Sequence, residues 1–206
     1  MRHVRLPFAL CAAALLAAIF APAADAQLFG PKSPSAPAPM KKPSALISRQ
    51  KPPEIKKSLE PLVTPDNSRV LVSLSKQRIY LMAGGQVYID APISSGKAGH
   101  STPSGDFRVL EKDPDHRSSL YGDFVDGKGR VVRSGVSTRI DSAPSGTRYQ
   151  GASMKWFCRL TGGGVGMHVG ILPGYPASHG CVRLPADIAP LIYQKVKVGT
   201  PITVES

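Results

Sequence analysis

Val70-Leu71-Val72-Ser73-Leu74, Gln77-Arg78-Ile79-Tyr80-Leu81-Met82, Ala83-Gly84-Gly85 and Gln86-Val87-Tyr88-Ile89-Asp90-Ala91-Pro92-Ile93 follow one another with almost no spacer. The apolar runs are short and rich in β-branched and aromatic residues, and a Gly-Gly turn divides the last two, so the stretch reads as strand, strand, turn, strand. The same grammar continues toward the C-terminus, with further strands expected over Asp106 to Lys112, Arg130 to Val136, Met154 to Leu160, Val165 to Val169 and Pro201 to Glu205. Only Asp187 to Val196 has helical spacing, in Ile188, Leu191, Ile192 and Lys195, with Pro190 confined to a first turn or a kink. Residues 68–206 are therefore expected to be a mainly β domain with one short C-terminal helix. Long connections are expected around 94–105, 112–128 and 137–153.

Upstream of that domain the composition is different. From Gln27 to Asn67 there are nine prolines, few large apolar residues, and seven basic against three acidic side chains. Such a segment cannot bury enough apolar surface to offset its chain entropy, and it is expected to be an extended linker without regular structure. A helix over Ile55 to Leu62 is weakened by the prolines that bracket it. At the N-terminus, Arg2, His3 and Arg5 precede an apolar run from Leu6 to Phe20 and a small-x-small site, Ala24-Asp25-Ala26. These are the three parts of a secretory signal peptide, and the run is shorter than the ~20 apolar residues of a membrane span. The expected organisation is a signal peptide over 1–26, a Pro-rich linker over 27–67 and a domain over 68–206, exported to the periplasm or cell envelope with no stable span after cleavage after Ala26. Cys11 would leave with the signal.

The 206 residues carry 26 Lys plus Arg against 14 Asp plus Glu, a net charge of +12. A basic chain suits nucleic acid, a membrane surface or an anionic polymer, and export removes nucleic acid from that set. Three cysteines are too few for a disulfide framework.

The chemistry concentrates in Gly166-Met167-His168-Val169-Gly170-Ile171-Leu172-Pro173-Gly174-Tyr175-Pro176-Ala177-Ser178-His179-Gly180-Cys181-Val182-Arg183. A thiol needs a base to become a good nucleophile near neutral pH, and Cys181 has two candidates, His168 and His179. Spacing does not choose between them. Gly180 leaves backbone N–H groups open beside the thiol for an oxyanion. Competing readings are zinc, for which no paired Cys-x-x-Cys or His-x-x-x-His is present, and a Cys158–Cys181 disulfide, the default for two exported thiols. Cys158 lies in Trp156-Phe157-Cys158-Arg159-Leu160, where a buried small hydrophobe fits.

Ser178-His179-Gly180-Cys181-Val182-Arg183 with an upstream His168 resembles the active-site signature of the L,D-transpeptidases, the YkuD-type catalytic domain of bacterial cell-wall enzymes. Ser95-Gly96-Lys97 and Thr102-Pro103-Ser104-Gly105-Asp106-Phe107 resemble that family's Gly-Lys and Thr-Pro-x-Gly-x-Phe segment, and the likeness covers most of 68–206. The resemblance implies a YkuD-like mixed β-sandwich or barrel with long active-site loops. It implies Cys181 as nucleophile, His168 as base, the Val169 carbonyl orienting the imidazole, His179 as a secondary polar group, and amides near Gly180 and Cys181 for the oxyanion. Arg183 would hold a substrate carboxylate or sit in an ordinary ion pair. Ser178 would bind substrate or satisfy the turn, and Trp156 would line the pocket or belong to the core. Thr161 to Gly164 and the 112–128 loop are expected to be plain turns rather than a border of the groove. Two departures are a connection of only nine residues from 169 to 177 and the cysteine at 158.

The implied reaction is acyl transfer on peptidoglycan stem peptides, through a Cys181 thioester that releases a terminal D-amino acid and is resolved by an amine of another stem. No cofactor or metal is expected. With water the same thioester gives a carboxypeptidase, and with a protein lysine a wall-linked protein. A sortase-like transpeptidase would lack the Ser-His-Gly-Cys-x-Arg spacing, and a non-catalytic wall-binding module would not need Cys181.

Overall fold

The hairpin strands expected from the sequence form the middle of a six-stranded sheet in the computed structural model, which describes residues 50–206. In chain order the strands are β1 (Glu54–Ile55), β2 (Ser68–Ser73), β3 (Arg78–Ala83), β4 (Gln86–Pro92), β5 (Gly105–Arg108), β6 (Glu111–Asp113), β7 (Arg117–Val125), β8 (Val131–Ser137), β9 (Arg148–Ser153), β10 (Phe157–Arg159), β11 (Gly166–Val169), β12 (Val182–Leu184) and β13 (Pro201–Glu205). One α-helix, α1 (Ala189–Lys195), and a 3-10 helix, Lys57–Leu62, complete the described residues. No helix among them is long and apolar enough to cross a membrane.

The strands make three sheets, ordered β1-β4-β3-β2-β13-β5, β12-β11-β10-β6 and β8-β7-β9. In β13 burial alternates without exception, and Ile202 and Val204 pair with Val70 and Val72 of the parallel neighbour β2. Across from them, Cys158, Met167, Val182 and Leu184 of the second sheet and Ile188, Ala189 and Ile192 from α1 and its N-cap enter the same core. Each such side chain removed from water contributes roughly 1.5–3 kcal/mol when it is a full Val, Leu or Ile. The result is a β-sandwich closed by the helix, with Pro190 in the first helical turn, where a missing N–H is tolerated.

Four expectations change. The run Asp106 to Lys112 is not one strand. β5 pairs with β13 and β6 with β10, and the chain changes sheets at Val109 and Leu110, whose N–H groups donate to Thr200 and Arg159 respectively. The connections around 112–128 and 137–153 contain β7 and β9, which are largely half-exposed and lack apolar alternation, since this third sheet's buried apolar side chains are confined to Phe124, Val125 and Val136. Its strands instead approach through glycine: a Cβ on Gly122 would meet the Gln150 carbonyl oxygen at 2.2 Å, and one on Gly151 the Ser118 oxygen at 2.0 Å. The expected strand Met154 to Leu160 shortens to β10, because Trp156 takes φ +60° and turns the chain just before it.

The fourth change concerns the proline-rich segment, whose last part carries regular structure. β1 pairs with β4, and Arg78, 8% exposed, forms an ion pair with Asp90 while donating to the carbonyls of Lys51 and Pro52. Lys195 of α1 donates to the carbonyls of Glu60 and Val63. The prolines do not stop this because the backbone is held from outside, by side chains and an edge pairing. The expected signal peptide over 1–26 and the part of the linker over 27–49 lie outside the described residues.

Candidate active site

β11 and β12 run parallel, with Met167 opposite Val182 and His168 opposite Arg183. Side chains alternate along a strand, so Met167, Val182 and Leu184 enter the core while His168 and Arg183 face the other way. Cys181, one residue before β12, is on the His168 side by the same period of two. Both groups line a cleft of about 870 Å³ that the third sheet walls on one side. Cys158 pairs with Met167 and points into the core, so the two thiols occupy opposite faces of one sheet and both are free. That geometry removes the disulfide reading, and burial pushes the Cys158 thiol up to about 12.

The two candidate bases differ in surroundings. His168 is 8% exposed, and its Nδ1 donates to the Val169 carbonyl at 2.7 Å, which leaves Nε2 as the acceptor. Val169 is itself anchored, its N–H donating to Lys155. Burial lowers the His168 pKa to about 4, against an upward pull from the Val169 hydrogen bond. His179 is exposed, stacked on Tyr121 of β7 at 4.3 Å between ring centroids and edge-on to His100 at 4.9 Å. Its pKa is lowered by burial first and then by Lys97 and His100. Cys181 donates to the Gly164 carbonyl at 3.8 Å, and burial raises its pKa, opposed by the Gly166 N–H beside the sulfur. Burial thus disfavours the charged form of both the thiol and the imidazole.

The turn that carries Cys181 is built from buried polar groups. Ser178 Oγ donates to the Cys181 carbonyl at 2.5 Å and accepts from the Gly180 N–H at 3.1 Å. Ser178, 1% exposed, therefore satisfies the turn. The same contact corrects the expectation for Gly180, whose N–H is occupied, whereas the N–H groups of His179 and Cys181 find no acceptor among the described residues. Gly180 is needed for its φ of +115°. Thr102, 4% exposed, donates to the Gly180 carbonyl at 2.7 Å and accepts from the Gly96 N–H at 2.9 Å, and a Cβ on Gly96 would meet the His100 oxygen at 2.1 Å. The Ser-Gly-Lys and Thr-Pro segments are thus the buttress of the thiol turn.

Trp156 leaves the candidate set. Its ring packs edge-on to Tyr193 of α1 at 5.2 Å and against the core, and it does not border the cleft. Arg183 is half-buried, its stem lies over Gly170, and among the described residues it has no acidic partner. Gly162 to Gly164 and residues 116–121 do border the cleft, contrary to the expectation of plain turns. Tyr121 and His100 carry no sequence signal for their place beside His179, since each lies in what reads as a loop. The cleft wall includes Arg117, Arg139, Arg159 and Arg183 and no Asp or Glu.

A family model for the L,D-transpeptidase catalytic domain, YkuD, matches residues 67–204. Among solved structures, an L,D-transpeptidase from Mycobacterium smegmatis is similar at 25% identity with a TM-score of 0.51, over 68% of this chain and 59% of that one. L,D-transpeptidase 3 from Mycobacterium tuberculosis, at 19% identity and a TM-score of 0.51, shares the fold over 68% of this chain and 61% of that one. This chain spans less than two thirds of the length of either. No curated protein sequence matches.

Proposed function

The chain belongs to the family of YkuD L,D-transpeptidase catalytic domains, and from that premise we propose that it transfers acyl groups between peptidoglycan stem peptides through a thioester on Cys181. The observation that carries this reading is the parallel β11–β12 register, which sets the buried His168, aimed by the Val169 carbonyl, on the same cleft-facing side as the thiol.

In the first half-reaction Cys181 Sγ attacks the carbonyl between an L-centred diamino acid and the terminal D-amino acid, and the thiol proton passes to His168 Nε2. The N–H groups of His179 and Cys181 are the oxyanion donors that remain open. The carbon–nitrogen bond then breaks, His168 returns the proton to the departing amine, and the thioester remains. In the second half-reaction an amine of another stem attacks the thioester, loses a proton to His168, and the sulfur leaves to be reprotonated. The Val169 carbonyl takes the orienting part that a carboxylate has in a Ser-His-Asp triad. Arg183, without an acidic partner, suits a substrate carboxylate. We further propose that residues 1–26 export the chain to the cell envelope and that its basic balance favours the anionic wall.

The test is to incubate the purified mature chain with disaccharide-tetrapeptides and follow products by mass spectrometry. Cross-linked dimer is the expected product, and tripeptide alone would mean that water is the acceptor. Cys181→Ala is expected to form no adduct, and turnover by that variant would sink the thiol mechanism. His168→Ala is expected to lose about a hundredfold or more in acylation rate.

A further inference from the structure

Four guanidinium groups line the cleft, and they are not equivalent. Arg117 donates to the Gly151 carbonyl at 3.0 Å, and Arg159 is paired with Glu111 at 2.6 Å. Arg117, Arg183 and Arg139 have no acidic partner among the described residues, but Arg183 donates to the Ile171 carbonyl at 3.5 Å, which leaves Arg139 as the one of the four whose guanidinium has no hydrogen bond there. Arg183 stands on β12 beside the thiol, while Arg139 stands on the turn that follows β8, in the third sheet.

That turn is built to hold Arg139 in place and to leave it unpaired. Thr138 donates through its N–H to the Leu120 carbonyl and through Oγ1 to the Ser119 carbonyl, both at 3.0 Å, which ties the turn to the part of β7 that walls the cleft. Asp141, the nearest acid in sequence, accepts from the Ser137 N–H at 2.8 Å and is paired with Arg133. Its carboxylate is therefore engaged on both oxygens, and Arg139 faces a cleft that offers no Asp or Glu. Arg139 is thus exposed at the border of the cleft, on a turn fixed through Thr138 and with a guanidinium free of partners among the described residues, and the planar fork of such a group favours a carboxylate.

We propose that Arg139 is a specificity-determining residue that binds a free carboxylate of the stem peptide from the third-sheet wall of the cleft, separately from Arg183 on β12. The cleft then grips two separate carboxylates of one substrate, and stems whose carboxylates are amidated are poor substrates. The inference rests on the acyl-transfer reading for the kind of substrate, but its test does not depend on turnover.

Stem tetrapeptides are made with all carboxylates free or with one amidated at a time. Two quantities are measured: the rate of Cys181 acylation by intact-protein mass spectrometry, and the Kd by calorimetry in the Cys181→Ala background. For the unaltered chain, amidating the carboxylate read by Arg139 is expected to cost about tenfold to a hundredfold in both. Arg139→Ala should abolish that discrimination, Arg139→Lys should retain part of it, and Arg183→Ala should affect a different carboxylate. Unchanged discrimination in Arg139→Ala, or an equal loss on every stem, overturns the proposal. If the thiol accepts no stem, the acyl-transfer reading falls, and an Arg139-dependent preference in Kd still upholds the carboxylate site while its absence removes it.

Discussion

The two packed sheets and the three-stranded sheet β8-β7-β9 are made of different material. The first pair holds its shape by alternating side chains that vanish into one core, and it carries His168 and Cys181 on the reverse face of that core. The third sheet buries Phe124, Val125 and Val136 outside that core and exposes most of the rest. It is held by backbone pairing through Gly122 and Gly151, by the Asp141 turn and by an aromatic contact from Tyr121 to His179. The proposed reaction would need its nucleophile and base fixed to a fraction of an ångström, which core packing can supply. The wall proposed to meet substrate through Arg139 would carry no such demand.

The largest expected effect separates the two by stability. Leu81→Ala, at a fully buried site, should cost about 2–5 kcal/mol and lower the Tm of the whole domain. A smaller truncation at an exposed position of the third sheet, Val132→Ala at 53% exposure, should leave Tm nearly unmoved. Equal losses at the two sites would break the comparison.

Acid should act on the first region through His168. Its folded pKa, about 4, lies below the unfolded value of 6.5, so the unfolded chain binds the proton first. Stability from the neutral buried imidazole is complete above 6.5 and is lost as pH falls toward 4, up to about 3 kcal/mol. Denaturant midpoints across that window should fall for the native chain and fall less for His168→Gln. The acid limb of kcat/KM should likewise lie near the depressed value rather than near 6.5.

The buttress beneath the thiol turn comes next in size. Thr102→Val removes the partner of two backbone groups, the Gly180 carbonyl and the Gly96 N–H, at roughly 1–3 kcal/mol. Its signature is a loss in acylation rate larger than the loss in stem affinity. Loss of affinity alone would mean that the buttress does not position the thiol.

The same division governs what was legible in the sequence. The strands β2 to β4 and β13 announce themselves because burial on one face imposes a period of two on residues such as Val70, Val72, Ile202 and Val204. Cys181, His168 and Arg183 stand out as candidates because the tetrapeptide Ser-His-Gly-Cys and its flanks concentrate the chemistry, and the fold brings them to one cleft. What could not be read depends on contacts between distant residues. β7 and β9 hide because Arg117, Ser118, Ser119 and Gly122 break any apolar alternation, and the buried Phe124 and Val125 come only at the end of β7. Glu54–Ile55 gains its strand only from the open edge of β4. Spacing alone leaves His168 and His179 open as bases and only the family resemblance favours His168, while the strand register that supports that proposal, like the occupied N–H of Gly180, depends on contacts that the spacing does not show.

The smallest effect tests an aromatic tie between the regions. Tyr121 stacks on His179, which precedes the Cys181 turn, and aromatic pairs of this kind contribute about 0.5–1.5 kcal/mol. Tyr121→Leu keeps an apolar side chain but removes the stack. Hydrogen exchange should then quicken in residues 117–125 and around 178–180 while the core strands β2 and β3 exchange as before. If the change instead spread evenly over the whole domain, the third sheet would be part of the same cooperative unit as the core, and the separation between a fixed chemical floor and an independently held wall would be wrong.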